Sequence, residues 1–190
     1  MSIWSSDPGR AWRRLRPEDR RTPLAARSAD ALPSLSADIG RGTKLLYDTT
    51  VYIDQLQAKL TGEVSRALEL ADAWHRSVAI AELAHATTRL DPKREDYRAV
   101  VAAVLRALDA IPARRVLTPD VLLWRDAGML DGLMARLEGR PRGDRRRTLN
   151  DALTLLLARR HGIAVLTRNR RDFDLLPQLV PAARVLFYAV

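Results

Sequence analysis

Hydrophobic and polar positions change period several times along this chain, and each change marks an element. Leu45, Leu46 and Tyr47 form a short apolar strand, and 51–60 reads as a helix. Thr61 stands as an N-cap with a helix over 63–74 behind it. Residues 77–80 read as a short strand merging into a helix over 82–88. Asp91 and Pro92 form a cap and first-turn pair, and the helix behind them carries Tyr97, Val100, Val101, Val104, Leu105 and Leu108 on one face. Val116 and Leu117 are a minimal strand, after which Thr118 and Pro119 restart a helix through Trp124 toward Leu137, weakened near Gly128. "EGRPRGDRRR" is a loop. A helix over 150–160 aligns Leu149, Leu153, Leu156 and Leu157 and ends at Gly162. "IAVLT" is a buried strand, "RNRRDFDLLP" a turn with a short helix, and "ARVLFYAV" a last strand.

Strands that alternate with helices predict an α/β fold, a parallel sheet with helices on both faces. Ligands of such folds sit at the carboxyl ends of the strands. Residues 1–43 differ from the rest. They carry Arg10, Arg13, Arg14, Arg16, Arg20 and Arg21, four prolines and few aliphatic runs. Such a stretch buries too little apolar surface to offset its ordering entropy, so it reads as a basic, extended or partly disordered extension with at most a short helical piece.

Composition narrows the chemistry. The 190 residues include no cysteine, which removes thiol nucleophiles, zinc-thiolate sites and iron–sulfur clusters and fits a reducing, cytoplasmic setting. No apolar run approaches the ~20 residues needed to span a bilayer. The Arg-rich start lacks the apolar core of a secretion signal. A formal net charge of +9 favours a polyanionic partner, while a solvated Arg-rich surface is the plainer explanation.

Against that background "KLLYDTTVYID" stands out, because an apolar strand runs straight into the carboxylate of Asp48. Glu82 lies in the first turn of the helix after the second strand, in "SVAIAELAHA". Asp151 opens the helix before "IAVLT", and Asn169 and Asp172 follow that strand. Four segments thus carry oxygen ligands to one predicted edge. Carboxylates brought together repel unless a hard cation lies among them, and Mg²⁺ or Mn²⁺ takes such ligands. Two such ions about 4 Å apart can activate water and stabilise the leaving oxygen of a phosphodiester. Singly, Asp48, Asp151 and Asp172 could each be no more than a helix cap or a dipole partner; the joint arrangement favours the site. Arg145, Arg146 and Arg147, just before Asp151, and Arg168, Arg170 and Arg171, around Asn169, are the candidate nucleic-acid contacts. His75, His85 and His161 have no metalloprotease or triad spacing and read as surface or helix-end residues. No Walker loop or GxGxxG is present.

"LLYDTTVYI", "SVAIAELAHA", "WRDAG" and "NDALTLLLARRHGIAVLTRNRRDF", in that order and followed by a last apolar strand, resemble PIN-domain ribonucleases, and among them the VapC-type toxins of type II toxin–antitoxin systems. The resemblance covers residues 44–190. It implies a three-layer α/β/α sandwich with a mainly parallel sheet and a Mg²⁺- or Mn²⁺-dependent endoribonuclease. It also implies a homodimer and an antitoxin whose tail covers the acidic site. By position the family's acids fall on Asp48, Glu82 and Asp151, with Asn169 in the fourth place and Asp172 in the same segment. The metal set is then Asp48, Glu82, Asp151 and Asp172, with Asn169 beside them in catalysis. Thr50 stands where the family has Asn or Ser. Two other readings are a non-catalytic RNA- or protein-binding module with the same fold, and a receiver-like phosphoacceptor at Asp48. The latter is disfavoured because no lysine follows the late strands.

Overall fold

The computed structural model describes residues 7–36, 41–139 and 145–190, and the side chains of Arg10 and of residues 145–147 are outside that description. Strands β1 (Lys44–Tyr47), β2 (Asp72–Arg76), β3 (Val116–Leu117), β4 (Ala164–Thr167) and β5 (Val185–Phe187) form a five-stranded parallel sheet in the order β3-β2-β1-β4-β5. Lys44 pairs with Asp72 and Leu46 with Trp74, and His75 pairs with Val116. The central strands are apolar in their middle: Leu45, Leu46, Val165 and Leu166 are fully buried, as a sheet covered on both faces requires. The strand order runs outward in both directions from β1 and β4. The carboxyl ends of those two strands are therefore the place where this class of sheet holds ligands.

Contacts divide the chain into two compact units. The first comprises the described residues of Met1–Ser34, Pro119–Val165 and Asn169–Phe187; the second comprises Leu35–Thr118, Leu166–Arg168 and Tyr188–Val190. In the second unit α2 (Thr49–Leu56), α3 (Gly62–Leu70), α4 (Ser77–Arg89) and α5 (Tyr97–Asp109) connect the first three strands. In the first unit α6 (Val121–Leu137) and α7 (Arg145–His161) pack along each other with Leu130, Leu133, Met134, Leu153 and Leu156 buried. Two short helices, α8 (Arg170–Phe173) and α9 (Leu176–Leu179), lead from β4 to β5. No helix among the described residues is long and apolar enough to cross a membrane.

Several boundaries differ from the sequence reading, each for a local reason. Thr61 does cap α3, its Oγ1 accepting from the Val64 N–H at 3.3 Å, but the helix stops at Leu70 rather than running on to 74. Ala71 is extended, and Asp72 to Arg76 leave the helix to pair with β1 and β3. The strand read at 77–80 is consequently the start of α4, because the sheet register has used its residues by Arg76. Glu82 falls in the second turn of that helix, not the first. Asp91 caps only a turn, accepting from the Lys93 N–H at 2.9 Å, and α5 begins at Tyr97. Asp120, not Thr118, caps α6, taking the Leu123 N–H at 2.8 Å, and the helix passes through Gly128 unbroken. Helix α7 starts at Arg145, so Asp151 lies in its second turn and is no dipole partner for its N-terminus. Gly162 ends α7 as read. Its φ of +67° is left-handed, and the Ile163 N–H returns to the Ala158 carbonyl at 2.9 Å.

The N-terminal segment carries more order than its composition implies. Asp7 caps α1 (Pro8–Leu15), accepting from the Gly9 N–H at 2.8 Å, and Ala11 and Leu15 are buried where α1 meets α6. Further on, the Arg27 N–H and its Nε donate to Asp174 at 2.7 and 2.6 Å, and Ser34 bridges Phe187 in parallel, beside β5. Two apolar residues one helical turn apart are enough to anchor a short helix once a neighbouring helix offers a face. Leu15→Ala should therefore lower unfolding free energy by about 2–4 kcal/mol, as for other buried leucines. Urea denaturation of the whole protein reads this directly, and an unchanged midpoint would mean that α1 does not hold the face of α6.

Candidate active site

Asp48 follows β1 and occupies the N-cap position of α2, yet its side chain makes no capping hydrogen bond. It turns instead into the protein, where it is 4% exposed. Oδ1 accepts from Arg76 Nη2 at 2.8 Å. Oδ2 accepts from the Thr50 hydroxyl at 2.9 Å and the Thr167 hydroxyl at 2.8 Å. The backbone fixes this position, because the Asp48 N–H donates to the Leu166 carbonyl of β4 at 3.0 Å. Thr50 Oγ1 also receives the Arg168 N–H at 3.2 Å, so the hydroxyl couples Asp48 to the turn after β4. Three donors on one carboxylate fix its orientation.

Glu82 belongs to the same group. It accepts from the Thr49 hydroxyl, and Arg76 Nη2 lies 3.4 Å from its Oε2 and 2.9 Å from Thr49 Oγ1. Its side chain is 32% exposed, more open than the apolar neighbours of "SVAIAELAHA" imply, because α4 turns that face outward. Arg76 is 1% exposed, and Nε and Nη1 of its guanidinium have no hydrogen-bond partner among the described residues.

In the first unit Asp151, Asn169 and Asp172 form a second group. Asn169 Nδ2 lies 3.1 Å from Asp151 Oδ2 and 3.1 Å from Asp172 Oδ2, one amide donor between two buried carboxylates. Asn169 Oδ1 accepts the Asp172 N–H at 3.4 Å, so Asn169 and not Asp172 caps α8. The cap role weighed for Asp172 is thereby taken by its neighbour.

Next to the Asp48 group lies a clamp that sequence reasoning missed. Asp54, fully buried in α2, accepts from Arg168 Nε at 2.7 Å and Nη2 at 3.0 Å, and from the Tyr188 hydroxyl at 2.7 Å. Burial raises the Tyr188 pKa, and the Asp54 pair holds the Arg168 guanidinium charged. Arg168, read as a nucleic-acid contact, thus spends its planar fork on an internal carboxylate. Arg170 and Arg171 are exposed on α8, and the side chains of Arg145, Arg146 and Arg147 fall outside the described residues. His75 is not a surface residue. It is buried in β2 with Nδ1 2.6 Å from the Tyr52 hydroxyl, and burial, then the charge of Arg115, lowers its pKa. Burial also pushes the Tyr47 pKa up to about 12.

The donor types suit a hard cation, since carboxylate and amide oxygens are its usual ligands. Among the described residues, however, no three His, Cys, Asp or Glu side chains close around a single point. Asp48 and Glu82 share the guanidinium of Arg76, and Asn169 turns its N–H rather than its oxygen toward Asp151 and Asp172.

No protein-family model and no curated protein matches the sequence. Solved structures match in fold. A chain of VapBC2 from Rickettsia felis, solved bound to a DNA fragment from its promoter, is 14% identical with a TM-score of 0.53, over 76% of this chain and 98% of that one. A chain of VapBC-1 from nontypeable Haemophilus influenzae is 17% identical with a TM-score of 0.50, over 75% and 96%. The fold defines an α/β, PIN-like domain. At identities this low the likeness is one of fold.

Proposed function

We propose that this protein is a metal-dependent endoribonuclease, the toxin of a toxin–antitoxin pair, acting in the cytoplasm as a homodimer. The observation that carries the reading is Asp48. It is a buried carboxylate at the carboxyl end of a central strand, held by three side chains and not used as the cap its position offers. Structural neighbours solved as VapBC assemblies support an antitoxin partner. Asp48, Glu82, Asp151 and Asp172 would hold Mg²⁺ or Mn²⁺, with Asn169 supplying an amide beside them. A divalent ion there supplies charge neutralisation at the scissile phosphate and a water acidified for attack. The chain's own residues orient that chemistry. Thr50 and Thr167 fix the rotamer of Asp48, and Thr49 holds Glu82. Basic side chains on α8, and the run at Arg145–Arg147, would meet the phosphate backbone, which makes binding salt-dependent.

The test is one incubation of structured RNA with the protein in Mg²⁺, Mn²⁺ or chelator, read by denaturing gel. Cleavage in metal that vanishes in chelator is the expected result. Binding without cleavage would favour the second reading, a non-catalytic RNA- or protein-binding module, for which the guanidinium seated on Asp48 is the specific support.

Asn169→Asp provides a separate check. Replacing the shared donor by a third carboxylate removes two hydrogen bonds and adds repulsion, so stability in chelator should fall by about 1–3 kcal/mol. Mn²⁺ should then raise the melting temperature of the variant by more than that of the wild type, because an ion that binds only the folded state stabilises by mass action. Equal metal-induced shifts would place the ion away from Asn169.

A further inference from the structure

Arg76 is held unlike the other buried-carboxylate partner in the same unit. Arg168 meets Asp54 with two nitrogens in the parallel fork that gives arginine–carboxylate pairs their strength. Arg76 makes its three contacts, to Asp48, Thr49 and Glu82, through Nη2 alone. Nε and Nη1 are buried and unpartnered among the described residues. Buried donors left without acceptors are costly, so this placement is not the one that best satisfies the guanidinium. It does satisfy the carboxylates. Asp48 and Glu82 lie close enough to share one nitrogen, and without a positive charge between them they would repel.

We propose that Arg76 is a built-in counter-ion that competes with a divalent cation for Asp48 and Glu82, so that the metal affinity of this chain is set by displacement of one guanidinium. The inference rests on the proposed metal-dependent function. A cation held by Asp48 and Glu82 would draw on the same two carboxylates that Arg76 Nη2 now contacts, and two positive charges at one pair of acids repel. The ion and the guanidinium are therefore alternative occupants. The two unpartnered nitrogens make Arg76 the more readily displaced of the two guanidiniums, whereas the bidentate Arg168 stays in place.

Mn²⁺ binding by the whole protein tests this, measured from the electron paramagnetic resonance signal of free Mn²⁺. Arg76→Met should bind Mn²⁺ at least about tenfold more tightly than wild type, a modest change for removal of a competing charge at contact distance. Asp48→Asn in the Arg76→Met background should abolish the tight site. Arg76→Lys, which keeps a charge on a shorter-reaching point donor, should fall between wild type and Arg76→Met. Should the methionine variant fail to fold, the Arg76 Nε–H resonance of the wild type, identified by its absence in Arg76→Lys, must shift as Mg²⁺ is titrated; a resonance unmoved at saturating Mg²⁺ overturns the proposal. Equal Mn²⁺ dissociation constants in wild type and Arg76→Met overturn it too, and leave the nuclease reading intact if RNA is still cleaved. No Mn²⁺ binding in any variant overturns both.

Discussion

Asp48→Asn is expected to slow RNA cleavage by about a thousandfold or more, since loss of a ligand charge removes several kcal/mol of the transition-state stabilisation a metal supplies and each 1.4 kcal/mol is tenfold. The amide keeps the size of the side chain and can still accept from Thr50 and Thr167. It cannot pair with Arg76, whose charge is then shared with Glu82 alone. The variant should remain folded but less stable than wild type, because a buried cation has lost one of its two carboxylates. Glu82→Gln and Asp151→Asn should lose activity with smaller effects on stability, Glu82 being partly exposed and Asp151 keeping its place in α7. Single-turnover cleavage with circular dichroism at the same temperature separates the two effects. Wild-type rates in any one of these variants would remove that residue from the site.

Asp54→Ala is expected to produce a large loss of stability, about 2–4 kcal/mol, less than for a fully buried ion pair because the cation is partly exposed. Its carboxylate is the shared acceptor for Arg168 and the Tyr188 hydroxyl; without it the phenol is left with Thr50 and the guanidinium loses both bonds of its fork. Arg168 is 42% exposed, so water recovers part of its cost, and Tyr188 carries the rest. Asp54→Asn should cost less, because an amide oxygen still accepts one bond. Chemical denaturation reads both. If Asp54→Ala unfolds at the wild-type midpoint, the clamp does not tie α2 to the C-terminal Tyr188.

The buried run of β4 was legible because composition and strand length agree there, whereas on the face read for α5 only Val104 is buried and Leu105 is exposed. Strand β2 was not legible. Asp72, Ala73 and Trp74 have no alternation and sit directly behind a helix, so their strand state comes from pairing to Lys44–Leu46 across more than twenty residues of chain. That single misassignment hid Arg76. Read as the end of a strand, an arginine there would have raised the same question as Asp48; between a helix to 74 and a strand from 77 it fell in no element and drew no reading. Asp54 was hidden differently, by lying beyond Asp48 on a helix where a carboxylate is ordinary.

The residue types and their order were the sequence's own contribution: a chain of alternating strands and helices, with acids placed just after the strands that the apolar runs identify. Local chemistry decides that much, since apolar period and turn residues act over a few positions. Which cation each carboxylate meets was decided only by tertiary structure. Asp48 and Arg76 are twenty-eight positions apart, and Asp54 and Tyr188 one hundred and thirty-four. Partners at such distances are selected by sheet order and register, which place the ends of β1, β2 and β4 side by side, and by burial, which makes an unpaired charge too costly to leave.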